Sequence, residues 1–317
     1  MTKVYNIDQI KNVIELKRDF LELVQSQKQA FADFSAGLIT VPAPIQMIFP
    51  KAHGDCHVKA GFKQNSEIFV VKVATGFYQN GASGLPSGDG AVLVFSQKTG
   101  LLQAILCDGG YLTTLRTAIA AGVSAKITPW DVQHVGIIGT GQLAIQVLEF
   151  MLLLYPQADF RIWGRSVQKT EAVTASYPGV KICESVQDLM HSGGIIITTT
   201  ASIKSIIDLA YVNGKTHIIA LGADEVGKQE CDPKLFQMAD TVVVDSKEQA
   251  VRFGDAFHAI QGGFITSDKS EELGNVIQKG ISSHSNLIIT DLTGIAAQDI
   301  AIVEWVLMSL DKREKYD

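Results

Sequence analysis

Two hydrophobic rhythms divide this chain. In the first 130 or so positions, long stretches with helical spacing flank short alternating runs. Ile10, Val13, Ile14, Leu21, Leu23 and Val24 recur near helical spacing and predict a helix over 7–36, closed by Gly37. From 41 to 107 the runs shorten. "SEIFVVKVATGF" and "GAVLVFSQKTGLLQAILCD" read as strands, "KTG" as a hairpin turn and "GASGLPSGDG" as a polar loop between strands. An alanine-rich stretch over 112–126 predicts a helix capped by Thr113 or Thr114.

Beyond "ITPWDVQ" the rhythm changes to near-continuous β-branched runs alternating with helical stretches. "HVGIIG", "DFRIWG", "GIIITTT", "HIIALG", "TVVVD" and "NLIITDL" predict strands buried on both faces, the pattern of a parallel sheet covered by helices. A last helix is expected over 298–310, crossing back to the first part because its apolar face needs a partner surface. The fold class is therefore α/β. A doubly wound parallel sheet of Rossmann type over 131–295 is expected beside a mixed α+β domain over 1–130, completed by the C-terminal helix over 296–317.

Length and composition narrow the function. The 317 residues are enough for two domains, and 46% apolar with 19% charged is ordinary for a water-soluble protein. A net charge of -6 leaves no basic excess for nucleic-acid phosphates, so no nucleic-acid partner is expected. The short "KREK" near the end reads as a solvated helix terminus. Cys56, Cys107, Cys183 and Cys231 are scattered without a C-x-x-C pair, so free thiols are expected rather than disulfides or a zinc site. "HGDCH" (His53 to His57) collects metal-ligand residue types, but no second cluster matches it; a polar hairpin turn is the expectation and no metal is assigned. No signal-peptide core or membrane-length run is present, which makes the cytoplasm the expected location and leaves no membrane partner.

The most informative stretch is "VGIIGTGQLAIQVLEF", where a buried strand runs into Gly139-Thr140-Gly141 and then a helix. A G-x-G-x-x-A turn between strand and helix, followed by further parallel strands, fits dinucleotide binding. Gly139 makes the turn, Gly141 lets a pyrophosphate approach the backbone, and Ala144 keeps helix and strand close. Gln142 and Leu143 open the helix whose N-terminus would face the phosphates. The second strand ends "IWGRS". Where an NAD site places an acid for the ribose hydroxyls, this chain has Gly164, Arg165 and Ser166. A guanidinium with a hydroxyl neighbour suits a ribose 2′-phosphate, the alternative being a surface arginine. NADP(H) is the expected cofactor, with NAD(H) possible.

Several charged residues are out of keeping with their surroundings. Lys72 interrupts the strand "FVVKVATGF", a costly place for a charge unless it faces a cleft. Arg116 lies early in the alanine-rich helix, as a ligand-facing group or an exposed helix arginine. Asp224 follows an apolar strand at its C-terminal end, where α/β sheets bind ligands, although a turn cap would look the same. In "DLTGIAAQD", Thr293 and Gly294 stand at a strand-to-helix junction, as a cap or as a ligand wall.

Taken in order, "FVVKVATGF", "KTGLLQAILCDGGYLTTLRTAIAAGVSAK", "GIIGTGQLA", "HIIALGADEVGKQECDP", "VVVDSKEQA" and "DLTGIAAQDIAI" resemble the ornithine cyclodeaminase/mu-crystallin family along nearly the whole chain. The resemblance implies a homodimer in which the N-terminal region and last helix form the substrate and dimerisation domain. It implies that Lys72 and Arg116 hold the substrate carboxylate, that Asp224 is the acid/base, and that Thr117 helps hold cofactor phosphate. One departure stands out. Many members carry a basic residue in a "P-x-R" segment where "VPAPIQ" has Pro44, and Lys59 in "HVKAGF" is the substitute carboxylate partner available here.

The family spans cyclodeaminases acting on ornithine or lysine, alanine dehydrogenases, imine reductases and NADPH-binding mu-crystallins. "WGRS" suits net reduction by NADPH better than internal recycling of NAD. Asp224, which the resemblance implies is lost in mammalian mu-crystallin, favours catalysis over storage. The expected activity is reduction of a cyclic imino acid, first Δ1-pyrroline-2-carboxylate to L-proline. Ornithine cyclodeaminase is the runner-up, ahead of alanine dehydrogenase or a binding protein. The expected partners are thus a small cyclic imino acid or amino acid and a second copy of the chain.

Overall fold

The computed structural model describes residues 2–315 and separates into two units, 1–116 with 295–317 and 117–294. The division falls between Arg116 and Thr117, inside the helix Tyr111–Ala125, and not at 130/131 as the change of rhythm suggested. The second half of that helix belongs with the later residues: a Cβ on Gly122 would lie only 2.3 Å from the Phe150 ring, so the two elements touch at backbone range. No helix among the described residues is long and apolar enough to cross a membrane.

The first unit is built on an antiparallel sheet. Strands Gly54–Lys63, Ile68–Phe77, Gly88–Ser96 and Leu102–Cys107 pair in sequence order, and Lys3–Asn6 adds a parallel strand beyond the last. The "KTG" turn closes with Gly100 at φ +69°, a conformation glycine adopts without strain. Helices Leu16–Ser35 and Ala296–Glu314 pack on one another and the latter also packs on the sheet. Gly61 permits the close approach, since a Cβ there would sit 3.3 Å from both Ala296 and Ile300. Val70, Val94, Leu106, Leu23, Phe31 and Val303 form part of the resulting core.

Three local expectations change. The stretch 7–36 forms two helices, Ile7–Asn12 and Leu16–Ser35. The break is held by Asp19, whose carboxylate accepts the Glu15 N–H at 2.7 Å, while Arg18 donates to the Val13 carbonyl. Gly37 then ends the second helix at φ +73°. The helix Tyr111–Ala125 is capped by Asp108, whose carboxylate accepts the Leu112 N–H at 2.8 Å; the Thr114 hydroxyl donates to preceding carbonyls instead. The hairpin turn near "HGDCH" is Pro50–Ala52 with His53 in the left-handed region, and Asp55 to His57 continue as strand.

The second unit holds an eight-stranded, wholly parallel sheet. Its order is Lys181–Ile182, Asp159–Trp163, His134–Ile138, Gly194–Thr198, Thr216–Ala220, Leu287–Asp291, Thr241–Val244 and Ser270–Glu272. The order runs outward in both directions from His134–Ile138 and Gly194–Thr198, the doubly wound arrangement in which ligands bind at the C-terminal strand ends. All six strands expected from the β-branched runs are present. Ile137, Ile138, Ile195, Ile197, Ile218, Ile219, Val243 and Ile289 are essentially without solvent access, as strands covered on both faces require.

Candidate active site

The Gly139–Gly141 turn joins strand His134–Ile138 to helix Gln142–Leu154. Gly139 has φ +129°, and a Cβ there would lie 2.2 Å from the Thr199 hydroxyl oxygen, so glycine is required by conformation and by space. Gly141 differs. It has ordinary φ, and a Cβ would meet nothing within 4 Å. It is also the helix N-cap, and no side chain bonds the N–H groups of the first turn. Open space before an uncapped, positive helix end is the setting in which backbone amides hold a phosphate.

That space is a cleft of about 530 Å³ lined by Gly139, Thr140 and Gly141, by Trp163 to Ser166 and Lys169, and by Thr199 to Ser202 with Ile206. Trp163 and Ile206 provide apolar wall, and the glycine turn and the hydroxyls supply polar groups. The cleft therefore unites Gly139, Thr140, Gly141, Gly164, Arg165 and Ser166. Gln142 and Leu143 begin the adjoining helix, and Thr117 is half-buried in its own helix; these three are outside the cleft lining. Thr140 and Gly164 fit against each other, since a Cβ on Gly164 would reach within 2.5 Å of the Thr140 methyl. These residues fit a dinucleotide: turn, amides, apolar wall and cationic side chains line one cavity.

In the first unit, Lys72 and Arg116 are drawn together by a residue that the pattern of the chain did not single out, Asp299. All three are at least 95% buried. Lys72 Nζ donates to Asp299 Oδ1 at 2.8 Å, and Arg116 Nε lies 3.3 Å from the same oxygen. The Arg116 guanidinium also donates to Gln298 Oε1 at 3.0 Å. Asp299 Oδ2 is buried with no hydrogen-bond partner among the described residues. Lys59 is buried opposite Lys72 in cross-strand register. Asp299 stands in the first turn of helix Ala296–Glu314, a usual place for a carboxylate, so its sequence position carries no signal for this role.

Burial drives the Lys72 ammonium down to about 7, with Arg116 and Lys59 acting in the same direction and Asp299 opposing them. Asp299 is held below the usual carboxylate range despite its burial, because Lys72 and Arg116 favour its anion. A buried cluster of cations around one carboxylate can receive a second, incoming carboxylate with bidentate geometry at the guanidinium.

The remaining assigned residues lie in the second unit. Asp224 follows strand Thr216–Ala220 and pairs with Lys228 at 2.8 Å, its side chain still 42% exposed. The Thr293 hydroxyl donates to Asp245 at 3.0 Å, and the Gly294 N–H donates to the same carboxylate. Gly294 has φ +81°. Thr293 and Gly294 thus brace the junction before the last helix. In the first unit, Asp55 and His57, read as a turn, form a buried pair at 3.3 Å, with the Tyr78 hydroxyl donating to Asp55 at 2.7 Å.

Comparison with known proteins agrees with this architecture. Residues 4–314 match the model of the ornithine cyclodeaminase/mu-crystallin family. The chain is 31% identical to an uncharacterized cyclodeaminase, y4tK, of Sinorhizobium fredii, over 98% of this chain and 96% of that one. It is 26% identical to a Delta(1)-pyrroline-2-carboxylate reductase of Bacillus cereus over 90% of each. Among solved structures, an archaeal alanine dehydrogenase dimer with bound NAD superposes with a TM-score of 0.89 at 25% identity, covering 99% of this chain and 97% of that one.

Proposed function

The chain belongs to the ornithine cyclodeaminase/mu-crystallin family, and we propose that it reduces a cyclic imino acid, with Δ1-pyrroline-2-carboxylate to L-proline as first substrate. Its chemical class, an oxidoreductase acting at a C=N or CH–NH bond with NAD(P)H, follows from its relatives. The observation that carries the proposal is the buried Lys72–Arg116–Asp299 cluster, a seat for a carboxylate attached to the reacting carbon.

The cleft lined by Gly139 to Gly141 and Gly164 to Ser166 would hold NAD(P)H, whose chemistry when bound would be hydride donation to the C=N bond. Arg116 and Lys72 hold the substrate carboxylate, with Lys59 as a further cation, and fix the orientation of that carbon. Asp299 keeps the two cations in place and satisfies their charge between turnovers. Asp224 gives the proton to the imine nitrogen, directly or through water, so that hydride and proton together complete the amine. NADP(H) is preferred to NAD(H), because Arg165 lines the cleft and no acid does.

Cyclodeamination of ornithine is the second reading, favoured by the similarity to y4tK. Oxidation of NADPH with a panel of cyclic imines, run beside ammonia release from ornithine, separates the two. Reduction of a five-membered imino acid is the expected result; ammonia without net cofactor turnover would replace it with the second reading. Asp224→Asn preserves shape but removes the titrating group and should slow reduction by roughly 10²–10⁴-fold. Near-normal reduction by this variant would remove Asp224 from the proton path.

A homodimer is part of the same proposal. Strand Ile45–Phe49 pairs on one side only, and Ile45, Met47, Ile48 and Phe49 expose apolar surface along it. An exposed apolar edge strand invites cover by another chain. Light scattering should give the mass of two chains, and a single-chain mass across micromolar concentrations would exclude it.

A further inference from the structure

The cleft in the second unit contains a second cation that the glycine motif and the "WGRS" segment do not explain. Arg165 and Lys169 both line it, and none of the lining residues is acidic. Among the described residues neither side chain has an ion-pair partner. Nearby cations do: Arg161 and Lys181 both bind Asp159, at 2.9 and 2.6 Å.

Both side chains are exposed, and their place in the backbone favours an anion beside them. Ser166 is the N-cap of helix Val167–Ser176, its hydroxyl oxygen accepting the Lys169 N–H at 3.3 Å. Arg165 immediately precedes the cap and Lys169 is in the first turn, one turn further on. Both positions lie at the positive end of the helix dipole, where cations are disfavoured and anions favoured. A dianion between them would offset the unfavourable placing of both cations at the helix N-terminus. It would meet two cations and a helix N-terminus, beside the Ser166 hydroxyl, which here donates to Gln168 Oε1 at 3.2 Å.

We infer that Lys169 is a specificity residue for the cofactor, sharing with Arg165 a phosphate monoester on the adenosine ribose. The inference rests on the proposed preference for NADP(H) and adds the residue that completes it. Arg165 supplies a planar fork to two phosphate oxygens, and Lys169 supplies a point charge to the third.

The test is calorimetric binding of adenosine 2′,5′-bisphosphate and of 5′-AMP to the whole protein, which needs no turnover. Wild type should bind the bisphosphate much more tightly. Lys169→Met should weaken the bisphosphate by about tenfold or more while leaving 5′-AMP within about twofold, the signature of one lost charge-assisted contact. Lys169→Arg should retain most of the affinity, and an unchanged melting temperature would show that the variants fold. An equal loss for both ligands, or no loss for either, overturns the role of Lys169. If wild type does not distinguish the two ligands, the NADP(H) preference falls and the inference with it.

Discussion

Arg116 and Lys72 direct two cations at one carboxylate in a place almost closed to water, where an uncompensated charge is expensive. Arg116→Ala should therefore reduce kcat/KM by orders of magnitude. A buried guanidinium–carboxylate contact contributes on the order of 2–4 kcal/mol when one partner is removed. Nucleotide affinity should be retained, and activity within a few-fold of wild type would move the clamp elsewhere. Lys72 adds a pH signature. With its pKa pushed down to about 7, the ammonium proposed to hold the substrate carboxylate is lost as pH rises through neutrality. kcat/KM reports the free enzyme, so it should decline above about pH 7 in wild type; Lys72→Arg, which stays charged, should lose that limb. The same limb in both proteins would assign it to the substrate. Both side chains were legible in the sequence, Lys72 because a lysine broke an apolar strand. Asp299 was not, because a carboxylate in the first turn of a helix is usual and only the folded chain shows that this one is buried.

At the level of elements, the strands of the parallel sheet were legible because both faces are covered and the β-branched runs are continuous. The edge strands Lys181–Ile182 and Ser270–Glu272 were not, since they are short and polar and exist through pairing with a neighbour. Asp108 escaped as a helix cap because it precedes two glycines, Gly109 and Gly110, whose positive φ values carry the chain back to it. The turn at Gly139–Gly141 offers a contrast that separates folding from binding. Gly139→Ala forces a side chain into the Thr199 hydroxyl at a positive φ and should destabilise the protein by about 2–4 kcal/mol. Gly141→Ala meets open space at ordinary φ and should change stability by less than about 1 kcal/mol, yet weaken dinucleotide binding strongly by filling the phosphate's place. Chemical denaturation beside nucleotide titration reads both effects. Undiminished binding by the Gly141 variant would show that the pyrophosphate does not approach this turn.

For the whole molecule the telling groups are charges that no surface argument explains. Glu230, Asp255 and Asp291 are all buried in the second unit. Burial raises each of them; repulsion from Asp291 and Glu230 adds to it at Asp255, and from Asp245 and Glu230 at Asp291, which reaches about 7, while hydrogen bonds from Thr198, Thr200 and Gly222 oppose it at Glu230. Among the described residues Asp255 Oδ2 and Asp291 Oδ1 have no hydrogen-bond partner, an arrangement that favours a retained proton. The unfolded chain releases these protons near ordinary carboxylate values, so the folded state binds more protons between about pH 4 and 7. Their contribution to stability is present at the acid end of that window and is lost as pH rises through the folded values. Buried His217, driven down to about 3 and held between the Thr128 and Thr290 hydroxyls, opposes this, since its neutral form loses stability as pH falls below its unfolded value. Three carboxyls outweigh one imidazole, and the melting temperature should fall by several degrees from pH 5 to 7. Above that, Lys72 supplies the opposite slope, because its depressed pKa leaves the unfolded chain holding the extra proton. Asp291→Asn isolates the effect. It can still accept the Ala256 N–H, which Asp291 now does at 2.7 Å, but it neither titrates nor repels Asp255. Its melting temperature should depend less on pH between 5 and 7 and should exceed that of wild type at pH 7. Parallel curves for the two proteins would show that the buried carboxyls do not set the pH dependence of this fold.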